Sequence, residues 1–195
     1  LEFRRVLFRS GTRVIAEKPI GRTKREFETL RRLRCADDQV FVGLNYQYFE
    51  GIAALVDDVR AGLFGDGIKL SIEMGHGGSP SDGSSWKLDP IRAGGGALLD
   101  PGIHLFDLAA VLAGDSLHVR SCQTSAPFWK TGVEEDCIAV LSSTTFPNIH
   151  INVSITQWRS RFRVEVVGSD GYGIVEGRGR SYGPQTYVRG TRWSF

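Results

Sequence analysis

Apolar and polar residues alternate strictly in the last third of the chain. The alternation runs over residues 149–155 and again over 162–166, and turn-forming residues such as Pro147 and Gly171 separate these runs. An apolar side chain at every second position is typical of a strand that buries one face and exposes the other. We therefore predict a large, mainly antiparallel open sheet with one buried and one polar face.

The apolar positions of the first part of the chain form shorter blocks. An apolar run at 13–16 predicts a strand, and a second run at 40–44 predicts another. Between them, Thr23 and Glu26 fit a capping box at the start of a helix over 23–34. A strand, a helix and a strand at this spacing predict a βαβ unit, with parallel strands and a right-handed crossover.

Two further helices and a long loop lie between these regions. Apolar residues recur at helical spacing over 52–59 and over 98–112, and the apolar residues at 68–74 predict a strand. Residues 75–96 are rich in Gly, Ser, Pro and Asp, which predicts a loop without regular elements. A loop of that length is more often functional than idle. The predicted fold is an α/β unit followed by an α+β region with the large sheet.

The composition of the 195 residues, with 41% hydrophobic and 24% charged, is that of a globular protein and excludes a disordered chain. The net charge is +2, yet residues 1–34 hold 11 Lys and Arg against four Asp and Glu. A basic stretch could attract nucleic acid, but we interpret this one as the solvated face of a helix and predict no nucleic-acid partner. No run approaches the roughly 18 apolar residues of a membrane span, so we predict no membrane contact.

The number and spacing of the cysteines further narrow the class of protein. Cys35, Cys122 and Cys137 are too few and too scattered for a disulfide framework. Neither these cysteines nor the four histidines have the spacing of a zinc site, so we predict no metal. A reducing, cytoplasmic location is the expectation that follows.

The sharpest chemical signal is the segment GGGALLDPGIH at 94–104, in which Asp100 and His104 are four residues apart. On a helix this spacing places both side chains on one face. A carboxylate beside an imidazole favours its charged form and can orient it, which suits a proton donor or acceptor near neutral pH. The alternative is structural: Asp100 is only the N-cap, with Pro101 at the first helical position, and His104 is a packed core histidine.

Lys18 is a second candidate, in the sequence Glu17-Lys18-Pro19 directly after the first predicted strand. Open α/β sheets bind ligands at the carboxyl ends of their strands, although a solvated lysine in a tight turn fits the same pattern. Trp86, in polar surroundings, could stack on a sugar ring or simply pack within its loop. The three glycines at 94–96 allow either a close backbone approach or a flexible joint.

Taken together, AEKP at 16–19 and GGGxxxDxGxH at 94–104, in this order, resemble the Gfo/Idh/MocA family of oxidoreductases. The resemblance covers residues 11–187. It implies an NAD(P)-dependent enzyme with an N-terminal Rossmann domain and a C-terminal α/β domain, whose large sheet often makes oligomer contacts. On that pattern residues 11–45 are the last βαβ unit of the Rossmann domain, and residues 46–195 are the C-terminal domain.

The resemblance also assigns roles to individual residues. Lys18 matches the lysine between nicotinamide and substrate, with Glu17 and Pro19 beside it at the cofactor. Asp100 and His104 match the carboxylate and the imidazole that face the oxidised carbon, so His104 is the expected acid/base. The implied substrate is a sugar, a sugar derivative or a cyclitol, and Trp86 is a further expected substrate contact.

The sequence also departs from the family pattern. No G-x-G-x-x-G turn occurs anywhere in the chain, so neither a phosphate-binding turn nor an acidic ribose-binding residue is available before Gly11. We expect residues 1–10 to be non-native, both ends to be truncated, and the chain alone to be inactive. When full length, the protein is expected to be a homo-oligomer, a dimer or tetramer. The alternative function is a non-catalytic regulator that senses a sugar or a nucleotide on the same fold.

Overall fold

Two short parallel strands, β1 (Val14–Ala16) and β2 (Val40–Val42), are joined by helix α1 (Lys24–Arg31). Val14 lies opposite Val40, and the Thr23 side chain caps the helix by accepting the backbone N–H of Glu26 at 3.2 Å. The predicted βαβ unit is therefore confirmed, with β2 ending two residues earlier than expected. The computed structural model describes residues 13–32, 40–78, 86–130 and 132–193, so the predictions for 1–10 and for the end of the first helix lie outside the described residues.

A second sheet contains the remaining seven strands of the described residues: β3 (Gly67–Gly75), β4 (His118–Ser125), β5 (Asp136–Ser142), β6 (Asn148–Ser154), β7 (Arg161–Gly168), β8 (Gly171–Glu176) and β9 (Thr186–Thr191). Their order is β4-β5-β6-β3-β7-β8-β9. The β3–β6 pair is parallel, and every other neighbouring pair is antiparallel. The prediction of a large, mainly antiparallel open sheet is confirmed.

Helices α2 (Glu50–Arg60) and α4 (Gly102–Ala113) cover one face of this sheet. Their apolar sides pack against the inward-facing residues of the strands, and the resulting core is nearly free of solvent contact. Its fully buried members include Ile52, Leu55, Leu70, Leu105, Leu108, Ile149, Val153, Val164 and Val175. Packing in this core fixes the position of α4, and therefore of His104, against the sheet.

Helix α4 begins at Gly102, four residues later than the apolar spacing predicts. Pro101 is its N-cap residue and makes no side-chain cap, so the alternative that Asp100 is the N-cap is wrong. The preceding residues form a turn in which the N–H of Asp100 donates to the carbonyl of Gly96 at 2.9 Å. Asp100 therefore precedes the helix instead of sharing a helical face with His104.

The segment predicted as a loop over 75–96 contains regular elements, which corrects the prediction. A 3-10 turn (Trp86–Leu88) is followed by the short helix α3 (Pro90–Ala93). The Asp89 carboxylate accepts the N–H groups of Ile91 and Arg92 at 2.8 and 3.1 Å, which satisfies the first turn of α3. Gly94, with φ of +85°, ends this helix in the left-handed conformation.

The sheet face away from the helices is open. The arginines that alternate along this part of the sequence make ion pairs there: Arg161 with Glu73 at 3.1 Å, and Arg163 with Glu165 at 3.5 Å. Ile138 interrupts this polar surface and is 57% exposed. These ion-paired arginines therefore lie on a solvated strand face. Across the described ranges, no helix is long and apolar enough to cross a membrane.

Candidate functional site

Lys18 and Asp100 come from distant parts of the chain and meet directly. Lys18 follows β1 by two residues, and its peptide bond to Pro19 is cis. Its ammonium donates to Oδ1 of Asp100 at 2.5 Å and to the carbonyl oxygen of the same residue at 2.7 Å. The Lys18 side chain is 17% exposed, so this ion pair is largely shielded from water.

Lys87 is a third member of the cluster, and sequence reasoning missed it. Its Nζ donates to Oδ2 of Asp100 at 3.0 Å, so one carboxylate lies between two ammonium groups. Burial by itself raises the pKa of Asp100, but the hydrogen bonds and charges of Lys18 and Lys87 outweigh it and hold that pKa below its usual value. Asp100 is therefore ionised near neutral pH, and the three side chains carry a net charge of one positive unit.

Two cavities adjoin this cluster. The larger, about 540 Å³, lies at the carboxyl end of β1 and is lined by Glu17, Lys18, Pro19 and Trp86, among others. The smaller, about 380 Å³, is lined by His76, Lys87, Asp100 and neighbouring apolar residues. The expected cofactor and substrate residues Glu17, Pro19 and Trp86 thus share one cavity with Lys18. Trp86 is 53% exposed there, which leaves its ring open to a ligand.

His104 lies in the first turn of α4 and is 5% exposed. Its ring is stacked on Tyr46, with centroids 4.0 Å apart and planes 3° from parallel. Its buried Nδ1 has no hydrogen-bond partner among the residues that the structure describes. Burial is the main cause that lowers the pKa of His104 to about 4, and the positive charge of Lys18 lowers it further against the opposing effect of Asp100. Asp100 does favour the charged imidazole, as expected, but burial and Lys18 outweigh it, so the ring is neutral near pH 7.

The aromatic support of His104 was also not predicted. Tyr46 is buried, donates its hydroxyl to the sulfur of Met74 at 3.6 Å, and lies 5.1 Å from the guanidinium of Arg178. The same guanidinium is 4.0 Å from the ring of Tyr182. These contacts hold a cation near His104 and add to the forces that keep its imidazole neutral. Only their arrangement in space identifies these residues, because no local motif marks them.

Glu134 fixes the turn that carries Asp100. Its Oε1 accepts the backbone N–H groups of Gly96 and Leu98 at 2.8 and 3.0 Å, and its carbonyl accepts the N–H of Ala97 at 2.8 Å. A Cβ added at Gly96 would lie 2.1 Å from the Glu134 carbonyl oxygen. Glycine at position 96 is therefore required because the backbone of Glu134 lies close to it. The alternative, that the three glycines form a flexible joint, does not fit this contact.

Comparison with known proteins bears on the family of the chain. The profile of the GFO/IDH/MocA C-terminal domain matches residues 52–173, well over half of the chain. The chain belongs to this family. A curated relative, the "dTDP-3,4-didehydro-2,6-dideoxy-alpha-D-glucose 3-reductase" of Streptomyces violaceoruber, is 36% identical over 115 residues, which cover 57% of this chain and 32% of the relative.

Two solved structures share the fold of this GFO/IDH/MocA family member. An inositol dehydrogenase homologue from Azotobacter vinelandii, complexed with NAD+, superposes with a TM-score of 0.78 at 21% identity, over 96% of this chain and 53% of the other. An aldose-aldose oxidoreductase from Caulobacter crescentus, complexed with glycerol, gives a TM-score of 0.81 at 21% identity, over 98% and 59%. The chain thus spans little more than half of these structures and a third of the curated relative.

The residues of this family member fit one end of a dinucleotide. The 540 Å³ cavity lies where a parallel strand ends, and Lys18 and Pro19 line it. The pyrophosphate end needs a glycine-rich turn at a helix N-terminus, and the 195-residue sequence contains no such turn. These residues could therefore hold a nicotinamide ring but not the whole cofactor.

Proposed function

We propose that this chain provides the substrate site of an NAD(P)-dependent oxidoreductase. The reaction is hydride transfer between nicotinamide and a hydroxyl carbon of a sugar, a sugar derivative or a cyclitol. The observation that carries the proposal is the Lys18–Asp100–Lys87 cluster beside the neutral, buried imidazole of His104. Family membership and the NAD+ complex of the inositol dehydrogenase homologue support it.

The proposed chemistry divides between cofactor and protein. Bound NAD(P) supplies the hydride acceptor or donor. His104, neutral at physiological pH, accepts the proton of the substrate hydroxyl as the carbon is oxidised, and returns it in the reverse direction. The Lys18 ammonium stabilises negative charge that develops on the substrate oxygen, and Asp100 orients that ammonium through two hydrogen bonds.

The small-molecule partner we propose is a sugar-like compound with several hydroxyl groups. Lys87 and Asp100 present a donor and an acceptor at the 380 Å³ cavity, and apolar Leu88, Pro101 and Ile155 complete its wall. Such a mixture of polar and apolar surface suits the two kinds of face on a sugar ring. The name of the Streptomyces relative makes a nucleotide-linked deoxysugar the first substrate to assay.

We further propose that residues 11–45 are the end of a nucleotide-binding domain whose glycine-rich part lies in other sequence. Because the 195 residues lack a G-x-G-x-x-G turn, we expect no change in NADH or NADPH fluorescence when the chain is added. Micromolar affinity in this titration would contradict the proposed division. An independent check is whether a longer reading frame that contains these residues encodes a G-x-G-x-x-G turn.

Turnover tests the role of His104. In an enzyme that joins this chain to its nucleotide-binding domain, we expect His104→Ala to lower kcat at least about 100-fold, the scale of a general base. His118→Ala, at an exposed position on β4, is the matched control and should leave kcat unchanged. Unchanged turnover in His104→Ala would overturn the assignment. Sugar binding without any turnover in the intact protein would instead favour the sensing regulator.

A further inference from the structure

Cys122 and Cys137 lie side by side on the neighbouring strands β4 and β5. Their sulfur atoms are 3.6 Å apart, close enough for one thiol to donate a hydrogen bond to the other. In the strand register Thr124 is opposite Cys137 and Cys122 is opposite Ala139. The two cysteines are therefore diagonal neighbours on the same face of the sheet, although they are 15 residues apart in sequence.

The two thiols differ in exposure. Cys122 is exposed on an edge strand of the sheet, whereas Cys137 is fully buried. Burial, with a smaller contribution from the neighbouring Cys122 sulfur, raises the pKa of the Cys137 thiol to about 12, so Cys137 is protonated until a leaving thiolate takes its proton. An oxidant in solution therefore reaches Cys122 first, and Cys137 is positioned as the thiol that responds to a modified Cys122.

We propose that Cys122 and Cys137 form a reversible modification site, a disulfide made by exchange with a low-molecular-weight disulfide such as oxidised glutathione. The Cys122 thiolate attacks one sulfur of the small disulfide, forms a mixed disulfide and releases one small thiolate. The Cys137 sulfur then attacks Cys122 and expels the second small thiol, which leaves with the proton of Cys137. Both protein thiols are oxidised and one small disulfide is reduced to two thiols.

The local structure permits this bond. Bonded sulfurs are about 2.05 Å apart, so the two must approach each other by about 1.5 Å. Among the described strands, β4 pairs with β5 alone, all its residues are exposed, and its register shifts between Val119 and Ser121. An edge strand with an irregularity can adjust its position more easily than a central strand.

The disulfide would tie the edge strand to the sheet and close a loop that includes Trp129. That loop is anchored by the buried Glu135, whose carboxylate accepts the N–H groups of Phe128 and Lys130 at 2.7 and 2.5 Å. Trp129 in turn donates its indole N–H to the carbonyl of Ile155, a residue of the 380 Å³ cavity wall. Oxidation is therefore expected to slow amide exchange in β4 and in this loop.

The test uses the 195-residue chain with Cys35→Ser, so that two cysteines remain. After incubation with oxidised glutathione, we expect intact-mass spectrometry to show the loss of two hydrogen atoms and no alkylatable thiol. Proteolysis should yield a peptide that joins Cys122 to Cys137, and a thiol reductant should reverse every change. Cys137→Ser is the matched control and should stop at a stable glutathione adduct on Cys122. Cys122→Ser should resist modification.

Three outcomes would overturn the proposal. The first is a lasting glutathione adduct in the protein that retains both cysteines, and the second is a dimer linked through Cys122. The third is a Cys122–Cys137 bond that forms no faster in the folded chain than in denaturant, because the fold would then contribute nothing. The measurement needs no nucleotide or sugar, so its result is independent of the proposed enzymatic function.

Discussion

His104 shows how burial decides the protonation state of a single residue. Asp100 is close enough to favour a charged imidazole, yet desolvation and two nearby cations have the larger effect. The ring stacked on Tyr46 is therefore neutral over the physiological pH range. A neutral imidazole is the form that can accept a proton, although the burial that keeps it neutral also weakens it as a base.

The pH dependence of stability follows from this shift. The pKa of His104 falls from about 6.5 in the unfolded chain to about 4 in the folded one, so between these values the unfolded state binds the extra proton. Stability should therefore fall as pH drops from 6.5 to 4, by roughly 2 to 3 kcal/mol from this group. Urea unfolding of the wild type and of His104→Phe across this range should reveal the difference.

Phenylalanine can keep the stacking on Tyr46 but does not titrate, so the His104→Phe profile should lack this part of the slope. His118→Phe, the same change at an exposed strand position, serves as the control. Parallel pH profiles for the wild type and His104→Phe would contradict the depressed pKa.

Gly96 is a second position at which the side chain, here one added Cβ atom, determines the stability of the fold. A Cβ there would lie 2.1 Å from the Glu134 carbonyl oxygen, so Gly96→Ala must displace backbone. We expect a loss of about 2 to 4 kcal/mol in the free energy of unfolding, measured by urea denaturation. Gly43→Ala, whose Cβ would meet its nearest atom at 3.5 Å, is the control. Equal stability of the two variants would restore the flexible-joint interpretation.

At the scale of elements, one side chain from the segment just before β5 determines the path of the turn before α4. The Glu134 carboxylate binds two backbone N–H groups there, and the turn presents both the carbonyl and the carboxylate of Asp100 to Lys18. Hydrogen bonds to a charged acceptor are worth about 1.5 to 3 kcal/mol. Glu134 is thus a positioning residue that connects the sheet to the lysine cluster.

Substitution at Glu134 should separate positioning from general stability. Glu134→Ala should lower the unfolding free energy by about 2 to 3 kcal/mol. It should also return the pKa of Asp100 toward its usual value, because the hydrogen bonds between Asp100 and Lys18 would weaken. Glu134→Gln keeps an acceptor oxygen and should retain most of both properties. Carboxyl NMR titration of Asp100 provides the measurement. An unchanged Asp100 titration in Glu134→Ala would show that the turn does not depend on Glu134.

At the scale of the whole molecule, the sheet has one covered face and one open face. The open face carries ion pairs at its centre and a 350 Å³ depression lined by Ile138, Val140 and His150, among others. The exposed apolar side chains of this face, and not its ion pairs, are the feature that suits an interface between subunits. We propose that two copies of the protein associate through this face.

Ultracentrifugation tests that proposal. Ile138→Lys places a charge where apolar contact is expected and should weaken self-association at least about 10-fold, without changing the fold. Ile91→Lys makes the same change at a residue on α3 that is 84% exposed and far from the sheet, and it should associate like the wild type. Association that is insensitive to Ile138→Lys would place the interface elsewhere.

Much of the fold could be predicted because its signals are local. Thr23 caps α1 by contacting Glu26, which is only three positions away in the sequence. The alternation over 149–155 identifies β6 without reference to any other strand. The start of α4 could not be predicted in the same way. Its apolar spacing extends back to Leu98, but Glu134 accepts the N–H groups of Gly96 and Leu98 and holds the residues before Gly102 in a separate turn. A distant side chain thus overrides the local pattern.

The sequence by itself determined the two motifs, the βαβ unit, the predominance of antiparallel strands and the family they indicate. Tertiary structure alone decided which groups surround these motifs. Lys87 and Lys18 both contact Asp100. Tyr46 stacks on the buried His104, whose imidazole is neutral, and Cys122 contacts Cys137 on the neighbouring strand. The reason is physical: residue type and spacing fix local conformation, whereas pKa values and reactivity depend on neighbours that only the folded chain brings together.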